Sequence, residues 1–206
     1  MKSRQTGFTL VEIAIVLVII GLLLGGVLKG QELIFNSKVK ATFNLTREIS
    51  AAVNSYLDRY GQLPGDDNQA ATRFPSAVPL PVNGPSNGTI PFTNCTAGTA
   101  TGVACEALYD MRLAGFISGT GLYSVKTPFG GWADLGLGSN FAGATFGSAP
   151  ALGFYATGMS YKAASAIDTS FDDSNPATGS WRCNTLATYN MSIPDQNVPS
   201  YCAMQL

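Results

Sequence analysis

GFTLVEIAIVLVIIGLLLGGVL, residues Gly7 to Leu28, holds one charged side chain, Glu12, in an otherwise apolar run. About 20 apolar residues are enough for a helix to cross the hydrocarbon core of a bilayer. The preceding MKSRQTG, residues 1–7, is short and basic through Lys2 and Arg4, which would keep the start of the helix on the cytoplasmic side. The remainder of the chain would then lie outside the cytoplasm. A secretory signal is cut after its apolar run, at a small-x-small site. Gly25 and Gly26 are small, but no A-x-A is present and Lys29 leads directly into a helical pattern. A plain signal anchor explains the length and the flanks. It does not explain a carboxylate four residues after Phe8, because a charge inside a span costs at least about 2.5 kcal/mol and so marks function.

Beyond the span, Phe35, Val39, Phe43, Ile49, Val53, Leu57 and Tyr60 recur mostly at helical spacing, with Lys38, Lys40, Arg47, Glu48 and Asp58 between them. This pattern predicts an amphipathic helix with one face to bury. It should end near Tyr60, where Gly61 is a plausible cap and Pro64 comes soon after. Gly21, Gly25, Gly26 and Gly30 lie inside the helix, and each costs about 1 kcal/mol relative to alanine. Their small-xxx-small spacing suits close helix packing in a membrane. It equally suits a weak stretch that unwinds when the helix leaves the bilayer.

Composition narrows the rest. The chain has 206 residues, a formal net charge of −1 and no histidine. It therefore lacks the commonest general base and metal ligand, and a Ser-His-Asp or Cys-His arrangement cannot be built from this chain alone. Residues 61–206 hold five basic and nine acidic side chains, a net of −4, which disfavours phosphate binding by the whole region. Nucleic acid is not expected as a partner. The four cysteines, Cys95, Cys105, Cys183 and Cys202, form no C-x-x-C pair. An even number in an exported region suits two disulfides. Of the three possible pairings, Cys95–Cys105 and Cys183–Cys202 are favoured because each closes a local loop; buried free thiols are the alternative.

Residues 62–104 are rich in Pro, Gly, Asn, Ser and Thr and read as irregular loop. Glu106 to Gly115 is a short helix candidate with Leu108, Met111 and Leu113 facing inward. Strand-like pieces come next at Leu122–Val125, Leu152–Thr157, Ser160–Ala163, Ser180–Cys183 and Thr188–Ser192, with a glycine-rich insertion, PFGGWADLGLGSNFAGATFGSAP, among them. A small antiparallel sheet against the helix would bury both apolar faces. Asn44, Asn87, Asn94 and Asn190 begin N-x-S/T sequons, which chance alone supplies in a Thr-rich chain. Asp168, Asp172, Asp173 and Asn175 form the densest acidic cluster. They offer the oxygen ligands calcium takes, but Asp-Asp-Ser-Asn-Pro is also ordinary turn chemistry, and a solvated turn is the preferred reading.

Gly7 to Glu12, GFTLVE, resembles the processing site of type IV prepilins and type II secretion pseudopilins. The likeness covers the leader and N-terminal helix, about a quarter of the chain. It implies that a prepilin peptidase cuts between Gly7 and Phe8 and that Phe8 becomes N-methylated. The implied fold is α+β: a long N-terminal helix, half membrane and half amphipathic, packed on a small antiparallel sheet head with long loops. The implied organisation is a cleaved leader at 1–7, an assembly helix at 8–30, a helical spine at 31–60 and an exported head at 61–206. Phe8 and Glu12 would carry assembly with identical or related pilin subunits, through inner-membrane machinery. The product would be a pilus subunit; a pseudopilin supporting protein export, or a minor pilin or adhesin at a filament tip, is the alternative. The chain departs from many members at Lys29, where they carry proline. RYGQLPGDD, Arg59 to Asp67, resembles the stretch after the helix in one prepilin subgroup, and Glu106–Gly115 resembles a short helix there. Some pseudopilins hold calcium in a C-terminal loop, a likeness of position only for Asp168–Asn175. A loop closed by Cys183 and Cys202 resembles the C-terminal disulfide loop of type IV pilins, which implies an exposed binding surface; stapling is the simpler role.

Overall fold

The computed structural model describes residues 9–90, 105–122, 124–137, 150–155, 159–183 and 202–206. Two compact units divide the chain, Met1–Lys38 and Val39–Leu206. Helix α1, Leu10–Tyr60, contributes to both. In the first unit every side chain from Leu10 to Leu28 is exposed, so this apolar length has no partner among the described residues of its own unit.

In the second unit α1 buries Val39, Thr42, Thr46, Ile49, Val53 and Tyr56, with Ala52 beside them. Steps of three and four residues keep such positions on one stripe of the helix. Val39, Ile49 and Val53 belong to the apolar series expected from sequence; Leu57 of that series stays 40% exposed. Two threonines take core positions instead. The Thr46 hydroxyl donates to the Thr42 carbonyl at 3.3 Å, a back-bond that lets a polar side chain sit in the core. Gly61 ends the helix with φ +68° and its N–H on the Leu57 carbonyl at 2.8 Å, as a left-handed glycine cap does.

The remaining elements in chain order are α2 (Ala70–Arg73), α3 (Glu106–Leu113), β1 (Val125–Lys126), β2 (Trp132–Leu137), β3 (Pro150–Tyr155), α4 (Tyr161–Phe171), β4 (Trp181–Cys183) and β5 (Cys202–Gln205). The five strands form one antiparallel sheet in the order β1-β2-β3-β5-β4. Register aligns Leu135 with Leu152, Leu152 with Met204, and Met204 with Trp181. That row crosses the sheet, and all four side chains are buried. The rings of Phe43 on α1 and Phe171 on α4 stack at 3.9 Å. The fold is thus the α+β arrangement of a long N-terminal helix with a small antiparallel sheet.

Several expected elements differ. Ser160–Ala163 is not a strand: Ser160 caps α4, its hydroxyl oxygen accepting the Ala163 N–H at 3.2 Å. A four-residue window cannot separate the two periods, and the cap decides. WADLGL, expected within a loop insertion, is β2. The expected Leu122–Val125 strand is reduced to Val125–Lys126. Thr188–Ser192 lies outside the described residues.

Cys183 and Cys202 are bonded, as expected, and stand directly opposite each other on β4 and β5 with Cα atoms 4.0 Å apart. Cys105 is also disulfide-bonded; Cys95 lies outside the described residues. Closing a loop of 19 residues in sequence stabilises by about 3 kcal/mol, chiefly by restricting the unfolded chain. The double variant Cys183→Ala/Cys202→Ala is expected to lose roughly that much in urea unfolding of the full chain in detergent. A loss below about 0.5 kcal/mol would show that the sheet register alone holds the C-terminus.

Residues 61–90 have little regular structure beyond α2, and buried carboxylates organise them. Asp67 Oδ2 accepts the Tyr56 hydroxyl at 2.8 Å and Arg73 Nε at 2.7 Å, while Oδ1 accepts the Gln69 N–H at 2.8 Å. The Asp66 carboxylate accepts the N–H groups of Asn87 and Gly88 at 3.0 and 2.7 Å. From α3, Asp110 Oδ2 accepts the Gly65 N–H at 2.8 Å, and the Tyr109 hydroxyl donates to the Pro79 carbonyl at 2.5 Å. Gly84 is required here: a Cβ would lie 2.4 Å from the Asp66 backbone. In the absence of a sheet, these side chains take the place of a ladder for buried backbone donors.

Candidate assembly site

Gly7 and Phe8 lie outside the described residues, which begin at Thr9. Thr9 and Glu12 form a reciprocal cap at the start of α1. The Thr9 N–H and hydroxyl both donate to Glu12 Oε2, at 2.9 and 2.8 Å, and the Glu12 N–H donates to Thr9 Oγ1 at 3.3 Å. This T-x-x-E capping box satisfies two helix-end donors at once, and a carboxylate there complements the positive end of the helix dipole. The same bonds restrain the Glu12 side chain at the start of α1.

The surroundings are apolar. Val11, Ile13, Ile15 and Val16 are 66, 48, 55 and 49% exposed. If this surface is covered by other apolar helices, a carboxylate within it requires a cationic or hydrogen-bonding partner. Further along α1, Lys29 and Glu32 pair at 2.8 Å on an exposed face. Gly21, Gly25, Gly26 and Gly30 have nothing within 4 Å of where a Cβ would stand. No contact among the described residues therefore explains them, and intermolecular packing and unwinding both remain as uses.

The acidic cluster is built differently from the expected solvated turn. Asp168 sits fully buried in α4, and the turn begins only after Phe171, where that helix ends. Oxygens of Asp168, Asp172 and Asp173 come within 4.8 Å of one another. Each holds its own loop together: Asp168 Oδ1 accepts the Ser174 N–H at 2.9 Å, Asp172 Oδ2 the Trp181 N–H at 2.6 Å, and Asp173 Oδ2 the Thr178 hydroxyl at 2.5 Å. Hydrogen bonds from Thr178 and Asn175 keep the Asp173 carboxyl below the usual carboxylate range. The Asn175 side-chain oxygen accepts the Ala177 N–H at 3.1 Å. The four residues thus meet as a loop-closing network, and calcium there would compete with the hydrogen bonds to Asp168 Oδ1, Asp172 Oδ2 and Asp173.

Reading the residues in sequence alone misses the buried acids Asp66, Asp67, Glu106 and Asp110. A partial signal is present, since Glu106 and Asp110 stand four apart on α3 and share a helix face.

The prokaryotic N-terminal methylation motif matches residues 2–28, the stretch that contains the Thr9–Glu12 cap. The chain is also 32% identical over 115 residues to the fimbrial protein EcpC of Eikenella corrodens, covering 52% of this chain and 74% of that protein. No solved structure matches it. With the methylation motif at its N-terminus, an exposed apolar helix, a small antiparallel sheet in the second unit and a fimbrial relative matched over most of that relative's length, the chain belongs to the type IV prepilin and pseudopilin family.

Proposed function

We propose that this chain is a structural subunit of a type IV pilus-like filament, cut by prepilin peptidase between Gly7 and Phe8 and N-methylated at Phe8. Its role is assembly rather than turnover. The observation that carries the reading is the charged Glu12, restrained by Thr9 at the head of an apolar helix that has no partner among the described residues of its own unit. The methylation motif and the fimbrial relative support it.

Processing would leave a new ammonium group at Phe8, four residues before Glu12. Inside a bundle of apolar helices both charges would be poorly solvated, and pairing one subunit's Glu12 with a neighbour's N-terminus would neutralise both. The pair would also set axial register, since one stagger satisfies it. Before assembly α1, which is long and apolar enough to cross a membrane, would hold the subunit in the inner membrane; afterwards the head would be displayed on the cell surface.

Mass spectrometry of the N-terminal peptide from filaments sheared off the source cells tests this directly. A peptide beginning at methylated Phe8 in the sheared fraction is expected. Processed protein confined to the cell envelope would favour a pseudopilin, and retention of Met1–Gly7 would overturn the reading.

A further inference from the structure

Two acids on α3 are buried without a matching cation among the described residues. Asp110 is fully buried and Glu106 is 1% exposed. Spaced four apart, they lie on the same helix face. Each holds one strand of the irregular segment: Asp110 Oδ2 accepts the Gly65 N–H, and the Glu106 carboxylate accepts the Val82 N–H. The second oxygen of each, Asp110 Oδ1 and Glu106 Oε2, has no hydrogen-bond partner among the described residues.

The groups packed around them do not supply the missing charge. From the segment, Asp67 faces Asp110 with a further negative charge. From α1, Tyr56 faces the same space, but its hydroxyl is given to Asp67. Tyr109, on α3 itself, gives its hydroxyl to Pro79. Arg73, the cation of this network, is committed to Asp67 at 2.7 Å. Arg112 donates to the Gly121 carbonyl and feels the charge of Asp134. Nor do Asp67, Glu106 and Asp110 converge as metal ligands; among the described residues the one such set is Asp168, Asp172 and Asp173. Two like charges in a dry site are unfavourable, and taking up a proton relieves them.

We propose that Glu106 and Asp110 form a proton-operated latch on residues 62–90: while protonated they let α3 hold Gly65 and Val82, and when both ionise they repel and release that segment. Val78 and Leu80, 92 and 53% exposed, lie within it, so the latch governs the presentation of an apolar strip on the head. Burial, before any other cause, raises the Asp110 carboxyl to about 8 and that of Glu106 to about 7. A raised carboxyl pKa stabilises the closed state below the ordinary carboxylate range. That contribution declines as pH climbs and is gone above about 8.

Amide hydrogen exchange of the full chain in detergent micelles tests the latch. Protection factors at Gly65 and Val82, corrected for intrinsic exchange, are expected to fall at least about tenfold between roughly pH 6 and pH 9, while Leu152 in the sheet stays protected. In Glu106→Gln/Asp110→Asn the fall should shrink to less than about twofold. If that variant does not fold, Asp110→Asn alone serves, because its amide oxygen still accepts the Gly65 N–H; it should remove at least half of the logarithmic fall. An equal fall in wild type and variant overturns the proposal, as does no fall in wild type. Recovery of protection at alkaline pH on adding calcium also overturns it, since a cation would then be the ligand.

Discussion

Glu12→Ala is expected to reduce sheared filament yield by about 10²–10³-fold while leaving subunit levels in the envelope near normal. An unpaired charge left in a buried site costs about 3–5 kcal/mol, and each 1.4 kcal/mol is tenfold in an equilibrium. Loss of the capping box is the competing explanation, because the same substitution removes the acceptor for Thr9. A cap is worth about 1 kcal/mol, too little for the full effect. Glu12→Gln separates the two, since glutamine also serves in capping boxes but carries no charge. Quantitative immunoblots of sheared and envelope fractions give the answer. If Glu12→Gln assembled as well as wild type, charge pairing would be wrong and the cap would be the role of Glu12.

Asp67→Ala is expected to destabilise the head by about 3–5 kcal/mol, the range for breaking a buried ion pair. The substitution strands three groups together: the Tyr56 hydroxyl, the Gln69 N–H and the Arg73 guanidinium. Tyr56 matters most. It is fully buried, and an unsatisfied buried donor costs about 1–3 kcal/mol. The Arg73 side chain is 24% exposed, so water takes up part of its loss. Urea unfolding of the full chain in detergent measures the difference, with Asp173→Ala as the control. Asp173 is exposed and accepts hydrogen bonds from Thr178 and Asn175, so its loss should cost about 1 kcal/mol, well below that of Asp67. Equal effects from the two aspartates would mean that the network around Asp67 contributes nothing special.

The long helix can be read from the chain because its signals are local. Length and hydropathy mark the membrane half. Spacing marks the amphipathic half, and Gly61 marks the end. Glu12 stands out for the same reason, as a lone charge in an apolar run. Yet the pattern misassigns part of the buried stripe: Thr42 and Thr46 look polar in sequence, and their burial depends on a back-bond and on what packs against them. The strand at Trp132–Leu137 is hidden by glycines, which carry no side-chain pattern of their own.

The class of this protein, the end of α1, the position of Glu12 and the favoured pairing of Cys183 with Cys202 are all legible in the order of residues. Each depends on neighbours a few residues apart or on a short closed loop. Folding in three dimensions was needed to place β5 between β3 and β4, to make Ser160 a helix cap, and to bury Asp66, Asp67, Glu106 and Asp110. Strand order depends on pairings between residues far apart in the chain. A buried carboxylate looks no different in sequence from a solvated one, because its burial is set by donors that folding brings to it: Gly65 and Gly88 from loops, Tyr56 from the helix.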